Sequence, residues 1–331
     1  MNRRRFLATT ATALAAAPFA GCLAPVPHAR TRAGAAGEGP IDAPAFHAMR
    51  RWQVTPQGRI AYVERGRGDV ALFLHGFPLN GFQWRGALER LSDRRRCIAP
   101  DFLGLGYSEV APGQAVTPDA QVAMLVAFLD AQSIRAVDLV ANDSGGAVAQ
   151  LFMTRHAERV RSLLLTNCDV ETDSPPPAVL PVIELARAGR FADEWLAPWI
   201  ADKALARSPT GLGGLCYADP SHPDDAAVDT YIGPLVASPE RKALTNAYAI
   251  GLAPNPLAGI EAALRRSRVP TRIVWGMADT IFSTQDPDYL DRTLGASRGV
   301  RRVPDAKLFW PEEFPDIVAG EARALWSGAH A

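Results

Sequence analysis

The sequence predicts an α/β fold: a mostly parallel central sheet, helices on both of its faces, and a helical segment inserted late in the chain. Three observations carry this. Short, continuous apolar runs recur along the chain, as strands buried on both faces require. Helical patterns separate several of those runs, which is the signature of a parallel sheet wound with helices. The alternation stops between about 172 and 260 and then resumes.

The N-terminus comes first. Arg3-Arg4-Arg5-Phe6-Leu7 followed by an Ala/Thr/Leu-rich stretch to Ala20 reads as an export signal over residues 1–21. The run from Phe6 to Ala20 is shorter than the ~20 residues that span a bilayer. Arg-Arg-x-Phe-Leu resembles a twin-arginine signal, which implies the twin-arginine export machinery as a partner and an envelope location, periplasmic or membrane-anchored. Phe19-Ala20-Gly21-Cys22 resembles a lipoprotein processing site, with Cys22 as the lipid anchor, while Ala33-Gly34-Ala35 offers signal peptidase an alternative cut. Residues 22–46, rich in Ala, Gly, Pro and Arg, read as a linker.

Next, Trp52–Val54 and Ile60–Glu64 flank Pro56-Gln57-Gly58 as a hairpin. Further strands are expected at 70–74, 97–100, 136–140, 161–165 and 272–275, and helices at 83–92, 118–132, 145–156 and 312–326. The stretch 172–260 opens on Ser174-Pro175-Pro176-Pro177 and reads as a helical cap inserted between two strands, so that 47–171 and 261–331 form the core.

Composition narrows the function. Of 331 residues, 35 are Lys or Arg and 35 are Asp or Glu, so no charge excess draws the chain to nucleic acid. A hydrophobic fraction of 48% with 21% charged residues excludes a disordered chain. Four cysteines (Cys22, Cys97, Cys168 and Cys216) without Cys-x-x-Cys or Cys/His spacing argue against a disulfide scaffold or structural zinc. With Cys22 lipidated or removed, the remaining three leave at least one thiol unpaired. No metal or organic cofactor is implied, and the expected partner is a small-molecule substrate.

The most informative stretch is Val137 to Gln150. A buried strand runs into Asn142-Asp143-Ser144, then Gly145-Gly146, then a helix, which is the spacing of a nucleophile elbow with Asp143 at its apex. Asn142 or Asp143 would also suit a simple helix cap. Two further motifs favour the elbow. His75-Gly76-Phe77-Pro78 follows the strand 70–74 directly, and Pro100-Asp101-Phe102-Leu103-Gly104-Leu105-Gly106-Tyr107-Ser108 follows the next.

With these residues, 48–327 resembles the α/β-hydrolase superfamily, and within it the aspartate-nucleophile branch of haloalkane dehalogenases and epoxide hydrolases. The resemblance implies the α/β-hydrolase fold, a nucleophilic Asp143, an oxyanion hole from the backbone N–H groups of Phe77 and Ser144, and Asp279 as the acid, in Gly276-Met277-Ala278-Asp279. The family's base is a His before the last helix, in the loop that here reads Asp305-Ala306-Lys307-Leu308-Phe309-Trp310-Pro311. That position holds Leu308. Without a base there, an alkyl ester on Asp143 would form and persist. His222 in the cap is the candidate substitute base. His28, His47, His75, His156 and His330 have ordinary structural or terminal readings.

The family's halide-holding Trp after the nucleophile is Ser144 here. Candidate pocket residues are Trp195, Trp199, Tyr217, Tyr231, Leu308, Phe309 and Trp310, with Tyr248 a further cap tyrosine. The expected function is hydrolysis of a small apolar substrate through attack of Asp143 on an alkyl carbon. The alternatives are a non-hydrolytic acid–base enzyme (lyase, isomerase or cyclase) using Asp143, and a catalytically retired binding protein of the cell envelope.

Overall fold

The computed structural model describes residues 39–111 and 113–328. The expected export signal, the lipid anchor at Cys22 and the first part of the linker lie outside the described residues. Among the described residues, nine strands form one sheet: β1 (Arg51–Thr55), β2 (Gly58–Arg65), β3 (Val70–Leu74), β4 (Arg96–Pro100), β5 (Glu109–Val110), β6 (Val137–Asp143), β7 (Val160–Cys168), β8 (Thr271–Gly276) and β9 (Ser297–Val303). Their order is β1-β2-β4-β3-β6-β7-β8-β9, with β5 paired to β2. Pairing is antiparallel at β1–β2, β2–β4 and β2–β5 and parallel elsewhere. Every residue of β3 and β6 is buried, as helices on both faces demand.

The chain departs from β3 toward one edge of the sheet and from β6 toward the other. The crevice between their carboxyl ends is therefore the topological switch point where open α/β sheets hold ligands. The loop His75–Pro78 leaves β3 at that point, and Asp143 ends β6 beside it.

Several elements differ from the sequence reading, and three of them have a plain physical reason. The linker expected to reach residue 46 gives way earlier, to a helix Ala43–Met49 whose N-cap Asp42 accepts the Ala45 N–H at 2.8 Å. Ile41, Ala43 and Phe46 are buried, and Phe46 meets the Phe82 ring edge-on at 5.2 Å. A capping Asp and a first-turn Pro44 are the local signals. Strand β9, Ser297–Val303, has no apolar run because it lies at the sheet edge and carries Arg298, Arg301 and Arg302. The helix expected at 312–326 is two, Trp310–Glu313 and Pro315–Trp326, since Pro315 has no N–H to continue a helix but suits a first turn.

The insertion between β7 and β8 is helical. Its longest helices are Leu180–Arg187, Asp225–Val236 and Pro239–Gly251, with shorter turns between 192 and 216. The cap is bound to the core by Asn80 donating to the Thr230 carbonyl at 2.8 Å, Arg241 to the Gly106 and Ser108 carbonyls, and the Phe309 N–H to the Cys216 carbonyl at 2.9 Å.

Candidate active site

Asp143 closes β6 at φ 55° and ψ −134°, a backbone conformation that residues other than glycine rarely adopt. The strain is held by close packing of the helix Ser144–Arg155 against the sheet. A Cβ on Gly145 would lie 2.6 Å from the carbonyl oxygens of Leu74 and His75, and one on Gly146 would lie 2.3 Å from Cys168 Cβ. Gly76 faces Asp143 equally closely, at 2.6 Å between its would-be Cβ and the Asp143 Cβ. The three glycines therefore set the approach of loop, elbow and helix.

Two main-chain donors converge on a single carboxylate oxygen. Asp143 Oδ1 accepts the Phe77 N–H at 2.7 Å and the Ser144 N–H at 2.5 Å. Burial pushes the Asp143 carboxyl up to about 6, and those two bonds hold it from rising further. Both lie where the oxyanion donors were expected.

The surrounding loops are fixed by buried polar contacts. His75 Nε2 accepts the Phe102 N–H at 3.0 Å while Nδ1 lies 2.9 Å from the Gly76 carbonyl, so the proton sits on Nδ1. Burial lowers this imidazole to about 4, in keeping with a neutral structural role. Asp101 accepts the Gly81 and Tyr107 N–H groups, which ties the loop after β4 to the loop after β3. Asn142 donates to the Asn167 and Leu308 carbonyls, both at 3.1 Å, and accepts from Gln83, which itself accepts the Gly76 N–H.

Asp143 opens into a cavity of about 310 Å³ whose walls are mostly apolar, among them Phe77, Phe191, Trp195, Trp199, Ile281 and Leu308. Among the described residues, the titratable side chains of its lining are Asp143, Asp169 and Cys216. Asp169 follows β7 by one residue, is buried, and accepts the Ser174 hydroxyl at 2.8 Å. Burial first, then the Asp143 charge, raises its carboxyl to about 7. The Cys216 thiol is pushed well above its usual range by burial.

Residues 70–307 match the alpha/beta hydrolase fold family. The chain belongs to that family. Within it the chain is similar to haloalkane dehalogenase 2 of Mycobacterium bovis, 28% identical over 276 residues that span 81% of this chain and 92% of the relative. A cis-3-alkyl-4-alkyloxetan-2-one decarboxylase of Shewanella oneidensis is 25% identical, covering 68% of this chain and 71% of its own. Among solved structures, an ancestral haloalkane dehalogenase superposes with a TM-score of 0.67 at 24% identity, over 84% of this chain and 99% of the other, which speaks to the fold alone.

This α/β-hydrolase chain distributes the sequence-derived candidates unevenly. Trp195, Trp199 and Leu308 line the cavity with Asp143 and Ser144. Thr280, Ile281 and Phe282 line the cavity, and Asp279, just before them, is buried but does not. Its Oδ2 accepts from Asn167 at 2.8 Å and its Oδ1 from the Ile281 N–H at 2.8 Å, with the carboxyl pushed up to about 6, chiefly by burial. Leu308 is buried and presents an alkyl group to the cavity.

Tyr217, Tyr231, Phe309 and Trp310, expected at the pocket, and His222, the expected substitute base, do not line the cavity. Tyr217 and Tyr231 both donate to Glu312 Oε2, at 2.7 and 2.9 Å, and Arg85 pairs with Oε1 at 2.5 Å. Buried hydroxyls seek an acceptor, and Glu312 captures them. His222 stacks on Tyr217 at 5.4 Å with Nε2 3.7 Å from Glu312 Oε1 and without a hydrogen-bond partner, and it does not line the cavity beside Asp143. Trp310 donates its indole N–H to Asn167 Oδ1 at 3.0 Å, and Phe309 packs against Gly76.

Asp169 escaped the sequence reading. Its signal was positional: it follows the carboxyl end of the strand adjoining β6. Tyr248 also has a fixed place, its hydroxyl 3.1 Å from Ser144 Oγ and its ring stacked on Phe77, outside the cavity lining.

Proposed function

We propose that this protein is a hydrolase that forms a covalent ester between Asp143 and an alkyl carbon of a small apolar substrate. The observation that carries the reading is the convergence of the Phe77 and Ser144 N–H groups on Oδ1 alone. That oxygen becomes the carbonyl oxygen of the ester, while the other, Oδ2, attacks. When water adds to the ester, negative charge develops on Oδ1, where both donors already point. The apolar cavity suits an uncharged substrate and strengthens the nucleophile by removing water from it.

The test is acid quenching during the first turnover with short haloalkanes and epoxides, followed by peptide mass mapping. An ester on Asp143, absent from Asp143→Asn, is expected. Full activity in Asp143→Asn, or an adduct elsewhere, would overturn the proposal.

A second reading, acid–base chemistry without a covalent step, draws support from Leu308, whose alkyl wall gives no base for ester hydrolysis, and from the decarboxylase relative. A product free of solvent oxygen, formed with no ester on Asp143, would favour it. The reading also takes the chain as exported. Fractionation of cells producing the full chain, beside Cys22→Ala, tests both the envelope location and the lipid anchor.

A further inference from the structure

We propose that Asp169 is the acid–base partner of Asp143 and that the group it serves is a departing oxygen, which makes a small apolar epoxide the substrate class. The inference rests on Asp143 being the nucleophile and adds what that reading lacks, a proton donor and a base.

Elimination within the cavity leaves one group. Among the described residues, those of its lining that titrate are Asp143, Asp169 and Cys216. Burial keeps the Cys216 thiol protonated. The cap tyrosines are engaged elsewhere, Tyr217 and Tyr231 on Glu312 and Tyr248 on Ser144, and none of the three lines the cavity. Asp169 remains. Cys168, the residue before it, pairs with Asp143 across the β6–β7 register, so the two carboxyls leave adjacent strands at the same end of the sheet. Asp143, Asp173 and Asp286 face Asp169 with like charge, Tyr248 stands nearby, and the Ser174 hydroxyl donates to it. Two carboxyls in one dry cavity disfavour double ionisation, so they share one proton near neutrality. Asp143 receives two N–H bonds and keeps the charge, which leaves the proton on Asp169.

That distribution fits an oxygen leaving group. A halide departs as a weak base and has no use for a proton. An alkoxide is a strong base and departs readily only when protonated. In the first step Asp143 Oδ2 bonds to an oxirane carbon, the C–O bond breaks, and the Asp169 proton moves to the released oxygen. In the second, water adds to the Asp143 ester carbon and gives a proton to the Asp169 carboxylate, with the new oxyanion on Oδ1. Collapse expels the diol oxygen, which takes the remaining proton of the added water, and both carboxyls return to their starting states.

The probes are styrene oxide and 1-bromobutane, used with the wild-type protein and Asp169→Asn. The wild type is expected to turn styrene oxide over to the diol. Asp169→Asn is expected to lose ~100-fold or more of that activity while 1-bromobutane alkylates Asp143 at an unchanged rate, since that step needs no proton. Equal loss with both probes would reduce Asp169 to a structural role and overturn the proposal, as would unchanged diol formation, or wild-type turnover of the bromide with the epoxide untouched. Should Asp169→Asn fail to fold, Ser174→Ala serves: removing the donor to Asp169 should move the pH profile of diol formation upward, and an unmoved profile would overturn the assignment. If neither probe labels Asp143 in the wild type, the nucleophile itself is wrong, a failure separate from the Asp169 outcomes.

Discussion

At the scale of single residues, the buried carboxyls set the expected pH behaviour. Asp143 needs its charge to attack, and burial has moved its carboxyl up to about 6, so activity should fall as pH drops through about 6. Stability has the opposite sense. A carboxyl whose folded pKa exceeds its unfolded value binds protons more tightly when folded, so its contribution is full below about 4 and is lost as pH rises through about 6. Asp143→Asn should therefore be inactive yet more stable at pH 8, by roughly 1 kcal/mol or more, in urea melts. An unchanged midpoint would count against the burial account. Leu308→His places an imidazole on the cavity wall and should shorten the lifetime of an Asp143 ester made from a haloalkane, as seen by mass spectrometry over time. Asp143 was legible because the elbow constrains backbone and side chain together. Asp169 was not, because membership of a cavity depends on which way a loop turns after its strand.

Among elements, the elbow and the cap anchor carry the largest structural demands. Gly145→Ala would push a methyl to within 2.6 Å of two carbonyl oxygens of the β3 end, where no flexible side chain can give way. Expression should collapse, or melting fall by several degrees, whereas Gly320→Ala on the last helix has open space and should be neutral or slightly stabilising. Glu312 is buried with Arg85, Tyr217 and Tyr231 gathered on it, joining the turn Trp310–Glu313 to the cap. Removing Arg85 leaves that carboxylate without its counter-ion, and Arg85→Ala should cost about 3 kcal/mol in denaturant unfolding. The interior strands were readable since burial on two faces imposes a continuous apolar run. β9 was opaque because an edge strand is under no such constraint, and the tyrosines were misassigned because the sequence does not show a buried acceptor in wait.

Across the whole molecule, the placement of the site follows from topology: the sheet order puts the carboxyl ends of β3 and β6 side by side, and the motif-bearing loops were recognisable from their strands alone. The cap was legible as an insertion, and its helix boundaries were not, since short helices there are set by contacts with the core. The described cysteines, Cys97, Cys168 and Cys216, are buried and unpaired, with burial raising each thiol; Cys97 reaches about 12. Iodoacetamide should leave these three unmodified until the protein is unfolded, as peptide mapping would reveal. An alkylating compound admitted to the interior thus meets sulfur in its unreactive, protonated state, so a protein proposed to handle such compounds carries protection against poisoning by them.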